Sequence, residues 1–336
     1  MHASHPRHAG DRPIARRSAL FRLAALGAAA ASPSAFALDV GGRPIRIVVP
    51  ITPGSTPDLV ARHIAAGLAR DLKTPFVVEN KSGAGAMIGT MEVVRAKPDG
   101  LTLLLTGASL YTNRWMLKDP PYDPLRDFQH IAKVGESYYV IVVPAEMKVT
   151  SLAQLVAAAK AAPGEITYSS AGHGSTSHLG GVMFEDVAGV KLRHIPFTGA
   201  APALTAVGGG QVQVSIQGIT TVLPLLQAGK VRALAVSSPV RSKRIPDVPT
   251  FAEAGLPGYK FSSFLGILAP AGTPMPMVNE LSAGILKIVR APEYHALAAT
   301  HGFEPDVAEM AAFAADGPVE LERWRRLIQL GGVPQQ

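Results

Sequence analysis

The sequence predicts an α/β protein assembled from right-handed βαβ units. Short apolar runs recur along most of the chain, and stretches with helical spacing lie between them. The runs are continuous rather than alternating, the pattern of strands covered on both faces in a mostly parallel sheet. Six of the strand segments end in loops rich in Gly, Ser and Thr, and most of those loops lead into helical patterns.

The first run, IRIVVP (45–50), passes through TPGST into a helical segment at 57–72. There Val60, Ile64, Leu68 and Leu72 recur every four residues, while Arg62, Arg70 and Asp71 fall off that line. Further strands are expected at FVVEN (76–80), LTLLLT (101–106), YVIVVP (139–144), ITYSS (166–170), VQVSI (212–216), VRALAVS (231–237) and FLGILAP (264–270). Helical patterns at 276–290, 292–300 and 308–330 close the chain. Two turn-rich stretches, DPPYDPLRDF (119–128) and SSPVRSKRIPDVPT (237–250), read as boundaries between two lobes.

Residues 1–37 carry a different signal. Arg7, Arg12, Arg16, Arg17 and Arg22 precede or border the apolar run LAALGAAAA, and Ser34-Ala35-Phe36-Ala37 offers a small-x-small cleavage pattern. Basic, apolar and small-residue regions in that order predict a secretory signal peptide cleaved after Ala37. The apolar run is shorter than the ~20 residues a membrane span needs. Arg16-Arg17 leaves the twin-arginine and general secretory routes both open. Without Arg7, Arg12, Arg16, Arg17, Arg22 and Asp11, the 32 basic and 25 acidic residues become 27 and 24, a net charge of +3. No basic block is interleaved with aromatics, so no nucleic-acid partner is expected. With no cysteine, an exported chain must be held by its core alone.

The loops carry the functional expectation. Gly54 and Ser55 turn the backbone ahead of a helix for which Thr56 suits the N-cap, Pro57 the first position and Asp58 the first turn. Free N–H groups and the positive end of a helix dipole make such a loop a site for an anion. KSGAGAMIG (81–89), GASLYTN (107–113), AGHGSTSHLG (171–180), TGAAPAL (198–204) and QGITT (217–221) repeat the construction. In open α/β sheets, ligands bind beyond the carboxyl ends of the strands.

Catalytic readings find little support. SGAGAMIG has G-x-G-x-x-x-G spacing and no acidic residue ends the next strand, so no dinucleotide cofactor is expected. No G-x-S-x-G elbow surrounds Ser109, Ser175 or Ser177. His173 and His178, five apart, are expected on different helix faces, with His178 in a local structural or capping role and no metal site. His130 and His194 are read as solitary surface or partly buried residues. The chain is expected not to be an enzyme.

From Arg43 to about Phe313, the landmarks RPIRIVVPITPGSTPDLVAR, VVENKSGAGAMIGTMEVVRAKPDGLTLLL, PPYDPLRDFQHIAKV, ITYSSAGHGSTSHLGGVMFEDVAGV, HIPFTGAAPALTAVGGGQVQV and RIPDVPTFAEAGLPGY occur in order. With these landmarks the chain resembles the Bug family, the extracytoplasmic solute-binding proteins of tripartite tricarboxylate transporters. The resemblance implies a two-lobed periplasmic binding protein (Venus flytrap), each lobe a mixed, mostly parallel sheet flanked by helices. Lobe 1 would hold 38–140 with 262–336, and lobe 2 would hold 141–261. It further implies a small carboxylate held between the lobes, delivery to integral membrane permease subunits, a periplasmic location and a monomer. Carried over to this sequence, the first-lobe contacts are Thr52, Pro53, Gly54 and Ser55, with Thr106 and Ser109 nearby. The second-lobe contacts are Ser170, Gly172, Gly174, Ser175, Thr198, Gly199, Ala200 and Gln217. Three departures stand out: Ser55 where the family often has a second glycine, Thr198 in place of a Lys or similar polar residue, and Gln217-Gly218 in place of Asp-Asn. They imply a ligand other than an acidic amino acid, with Ile219, Phe197 and Tyr111 as an apolar wall. Two alternatives stay open, a sensor feeding a signalling receptor and, less supported, an exported serine hydrolase. Which carboxylate is bound is not legible.

Overall fold

The computed structural model describes residues 1–2 and 42–335. The signal-peptide expectation, with its cleavage after Ala37, lies almost wholly outside them. The residues from 42 onward belong to one compact unit. Its elements run β1 (Ile45–Val49), α1 (Thr56–Leu72), β2 (Phe76–Asn80), α2 (Met87–Val94), β3 (Thr102–Thr106), α3 (Ser109–Met116) and β4 (Phe128–Pro144). Next come α4 (Leu152–Ala161), β5 (Thr167–Ser170), α5 (Thr176–Ala188), β6 (Arg193–Pro196), α6 (Ala200–Gly208), β7 (Val214–Gly218), α7 (Ile219–Gln227) and β8 (Val231–Val236). The chain ends with β9 (Ser262–Pro270), α8 (Met275–Val289), α9 (Pro292–His301), β10 (Phe303–Glu304), β11 (Ala308–Glu309) and α10 (Met310–Leu330).

The strand order β2-β1-β3-β9-β4-β7-β5-β6 mixes parallel and antiparallel pairs. β1 is parallel to β2 and β3, and β5 is parallel to β6 and β7. Both triplets are βαβ units, which explains why their sequences read as buried apolar runs. β4 joins the halves. From Phe128 to Tyr138 it pairs antiparallel with β9, and from Tyr139 to Val142 with β7. β8 also pairs with its second part, and β10 and β11 with its first.

The long β4 departs from the sequence expectation of a strand over 139–144. Residues 128–138 are strand too, although Gln129, His130, Lys133, Glu136 and Ser137 interrupt the apolar pattern. Bulges break the β4–β9 register at Ile131 and Val134. The carbonyls there are recovered by side chains: Ser282 Oγ donates to Ile131 O at 3.0 Å, and Tyr294 OH to Val134 O at 2.7 Å. A buried bulge thus keeps its hydrogen bonds only because α8 and α9 supply donors at those two points.

Among the described residues, three apolar clusters form the core. One lies between β1, β3, β9 and the helices α1 and α8, around Ile47, Ile64 and Leu281. A second, around Val142, Val207 and Val222, serves the other half. The third runs through both halves and includes Tyr111, Tyr168, Phe261 and Trp324. α10 spans that shared core. Its Phe313 packs on His130 with ring centroids 4.7 Å apart, and Arg326 pairs with Asp186 of α5 at 3.1 Å.

Candidate functional site

The parallel strands β1, β3, β5 and β7 deliver their carboxyl ends to one cleft of about 830 Å³. Five helices begin at its wall: Thr56 and Pro57 of α1, Ser109 of α3, Thr176 and Ser177 of α5, Ala200 of α6, and Ile219 and Thr220 of α7 all line it. Among the described residues that line it there is no Asp, Glu, Lys or Arg. Unpaired first-turn amides and converging helix dipoles therefore give the cleft a positive bias without a cationic side chain. Tyr138, Tyr139, Ile219, Met116 and Leu265 add apolar surface, and Ser137 to Tyr139 belong to the strand that joins the halves.

The first loop differs in detail from the sequence reading. The N-cap of α1 is Ser55, one residue earlier than expected, and it makes no side-chain cap. Asp58, 2% exposed, closes the turn instead by accepting the Gly54 amide at 2.9 Å and pairing with Arg62 at 3.0 Å. Gly54, at φ +78°, sits in a left-handed turn that favours glycine. Its amide is thus engaged within the loop rather than pointing free. Burial pushes the Asp58 carboxyl up, but the hydrogen bonds from Arg62, Gly54 and Asn80 outweigh it and hold the carboxyl below its ordinary range.

The second-half loop 171–175 is built by its own neighbours. Gly172 and Gly174 have φ of +120° and +70°. The Ala171 amide donates to Ser177 Oγ at 2.9 Å, the Gly172 amide to Ser170 Oγ at 3.1 Å, and the Gly174 amide to His178 Nδ1 at 3.0 Å. Ser175 Oγ donates to Gly172 O at 2.7 Å and accepts the His178 amide, so it caps α5.

Of the residues named from the sequence, Thr52, Gly54, Ser55, Ser109, Gly174, Ser175, Ala200 and Gln217 line the cleft together. Pro53, Thr106, Ser170, Gly172, Thr198 and Gly199 are not among its lining residues. Two of these lie one layer beneath: Thr106 is buried with its hydroxyl 3.3 Å from Ser109 Oγ, and buried Ser170 holds the loop just described. Thr198 and Pro53 are exposed. Of the apolar wall, Ile219 is at the cleft, whereas Tyr111 is buried in the core and directs its hydroxyl to His130, 3.4 Å away. Sequence reasoning missed Asn113, Met116, Tyr138, Tyr139, Thr220, Thr221 and Gly302. QGITT and GASLYTN contained three of these, Thr220, Thr221 and Asn113, but their helical spacing gave no sign of which face meets the cleft.

His178 has the local structural role expected of it, accepting the Gly174 amide, but the other histidines differ from expectation. His173, His178 and His194 come together, with ligand-capable atoms within 4.8 Å of one another. Their geometry suits stacking and not metal ligation. His178 and His194 lie nearly parallel, with centroids 4.0 Å apart and planes 12° apart, so their lone pairs do not converge on one point. His178 Nδ1 already accepts an amide, and His194 Nε2 is 2.6 Å from Ser170 Oγ. His130, read as surface or partly buried, is 5% exposed in the core.

The family described as the tripartite tricarboxylate transporter family receptor matches residues 60–333. The Bug protein BugT of Bordetella pertussis is 34% identical over 296 residues, covering 87% of this chain and 90% of BugT. This chain belongs to the Bug family of tripartite tricarboxylate transporter receptors. Solved structures agree on the fold. An R. palustris protein solved with adipate has a TM-score of 0.78 at 31% identity, covering 88% of this chain and 99% of that one. MatC from Rhodopseudomonas palustris, with bound malate, has a TM-score of 0.73 at 29% identity, covering 85% and 99%. The fold is the mixed α/β, two-lobed fold of the periplasmic binding proteins, and family and fold are those of solute-binding proteins.

Proposed function

We propose that this chain is a non-enzymatic, monomeric periplasmic receptor that captures a small carboxylate between its lobes and passes it to integral membrane permease subunits. The observation that carries the reading is the meeting of five helix N-termini in a cleft whose described lining residues include no Asp, Glu, Lys or Arg. An anion is favoured there by amides and dipoles, and release needs no ion pair to be broken. Family membership supports the carboxylate and permease partners, as do the relatives solved with adipate and malate. The register change of β4 at Tyr138–Tyr139 supports lobes of 38–140 with 262–336 and of 141–261. Closure then requires only that the ligand prefer the closed state by a few kcal/mol.

A thermal-shift screen of the purified protein against mono-, di- and tricarboxylates, amino acids and amines tests the reading. Ligand at 100 times its Kd adds about 2.7 kcal/mol to stability. A rise with one carboxylate class and none with amines is expected, whereas response to amines alone would reverse the sign of the site. Ser175→Trp, on the cleft wall, is expected to remove the response while leaving the ligand-free melting temperature within a few degrees. A variant that still responds fully would place the ligand elsewhere.

A further inference from the structure

His178 stands behind the cleft rather than in its wall. It is 3% exposed, on the first turn of α5, and its Nδ1 lies 3.0 Å from the Gly174 amide. An imidazole nitrogen that accepts a backbone N–H must present a lone pair, so the ring is the Nε2–H tautomer and uncharged. An imidazolium carries N–H on both nitrogens and would turn a donor toward a donor.

The surroundings enforce that state. His194 of β6 stacks on the ring, and His173 of the loop meets it edge-on with centroids 5.7 Å apart. Tyr168 of β5 lies nearly parallel to it, 6.3 Å away. Burial first, then the neighbouring His194 and His173, push the His178 pKa down to about 3. His194, which holds Ser170 Oγ, is itself pushed down to about 4 by burial and then His173. Ser170 in turn accepts the Gly172 amide. Two neutral imidazoles thus fix the two glycine amides of one loop, one directly and one through a serine.

The geometry points to His178 as a positioning residue for ligand capture: its neutral imidazole pins Gly174, and so aims Ser175 and the free amides of Thr176 and Ser177 into the cleft. This rests on the proposed carboxylate-binding role. Without the acceptor, Gly174 is free to leave the left-handed turn, and the start of α5 no longer faces the ligand.

Two substitutions and one spectrum test it. His178→Asn places Oδ1 where Nδ1 was and keeps an acceptor, whereas His178→Leu fills the space without one. The readouts are affinity for whichever carboxylate of the screen shifts the wild type, hydrogen exchange at the Gly174 amide, and nitrogen-15 spectra of the histidine rings. Expected are an Nε2–H tautomer for His178 that stays neutral from pH 7 to pH 5 and affinity within about threefold for His178→Asn. His178→Leu is expected to lose about tenfold or more, the consequence of one unsatisfied amide. Equal affinities for both variants, retained or lost, would overturn the inference, as would an Nδ1–H tautomer. If no carboxylate binds the wild type, the functional reading fails and the spectra still decide the positioning role. Gly174 protected in the wild type and in His178→Asn but not in His178→Leu supports it, and any other pattern overturns it.

Discussion

At the scale of single residues, the cleft is arranged by buried polar groups that never touch its space. Asp58 is one. Because its folded pKa lies below its unfolded value, its contribution is fully present above about pH 4 and lost as pH falls through the folded value. Asp58→Ala should cost about 1.5–3 kcal/mol at pH 7, the range for a hydrogen bond to a charged group, and loosen the Gly54 turn. Urea denaturation at pH 7 reads this directly, and a cost under ~0.5 kcal/mol would show that Arg62 and Gly54 find other partners. The buried histidines act in a higher pH window. His130, pushed down to about 4 by burial, and His178, down to about 3, stay neutral in the fold while unfolded histidine takes a proton near pH 6.5. The unfolded chain therefore binds more protons below pH 6.5, and stability falls on acidification. From pH 7 to pH 5 the loss is about 2 kcal/mol for each of these two side chains. Glu185 and Glu320, whose carboxyls burial pushes up, offset part of it. A urea midpoint unchanged between pH 7 and pH 5 would contradict the burial of these imidazoles.

At the scale of elements, how legible each part was in the sequence follows from who covers it. β1, β3 and β7 are hidden by helices of their own βαβ units, so each is a local apolar run. The first half of β4 is hidden by distant helices, and its bulges are completed by Ser282 and Tyr294, more than 140 residues away in the chain. Its sequence, FQHIAKVGESY, consequently lacks a continuous apolar run and does not read as a strand. The cleft follows the same rule. Gly54, Ser109, Ser175 and Gln217 were visible because each lies at or just beyond the carboxyl end of its own strand. Tyr138 was hidden inside the unrecognised strand, and Gly302 comes from the end of α9, with no glycine-rich loop to mark it. Tyr294→Phe removes only the hydroxyl that donates to Val134 O in a fully buried setting. It should destabilise by about 1–3 kcal/mol, the cost of leaving a buried carbonyl unpaired, with no effect on ligand affinity. Calorimetry of the variant checks this, and a neutral effect would mean that the bulge can close up or recruit water.

At the scale of the whole molecule, the proposed capture would depend on how the halves meet away from β4 and β9. One such meeting lies at the rim of the cleft, where Thr220 Oγ1 of α7 donates to the carbonyl of His301. Beside it, Gly302 ends α9 at φ +68°, and a Cβ there would stand 3.1 Å from Ile219 Cγ2. The two residues separate two physical effects. Gly302→Val would cost about 1–2 kcal/mol in backbone strain alone and would also push Ile219 away. Thr220→Val keeps the backbone and the shape and removes only the hydroxyl that joins the halves. If this contact holds the lobes together, both variants should enlarge the radius of gyration of the ligand-free protein in X-ray scattering and weaken ligand binding several-fold. Only Gly302→Val should also lower the melting temperature appreciably. A radius of gyration unchanged in both would mean that the β4–β9 crossover and α10 alone set the angle between the lobes. The rim would then matter only as part of the cleft wall, which Thr220 and Gly302 line.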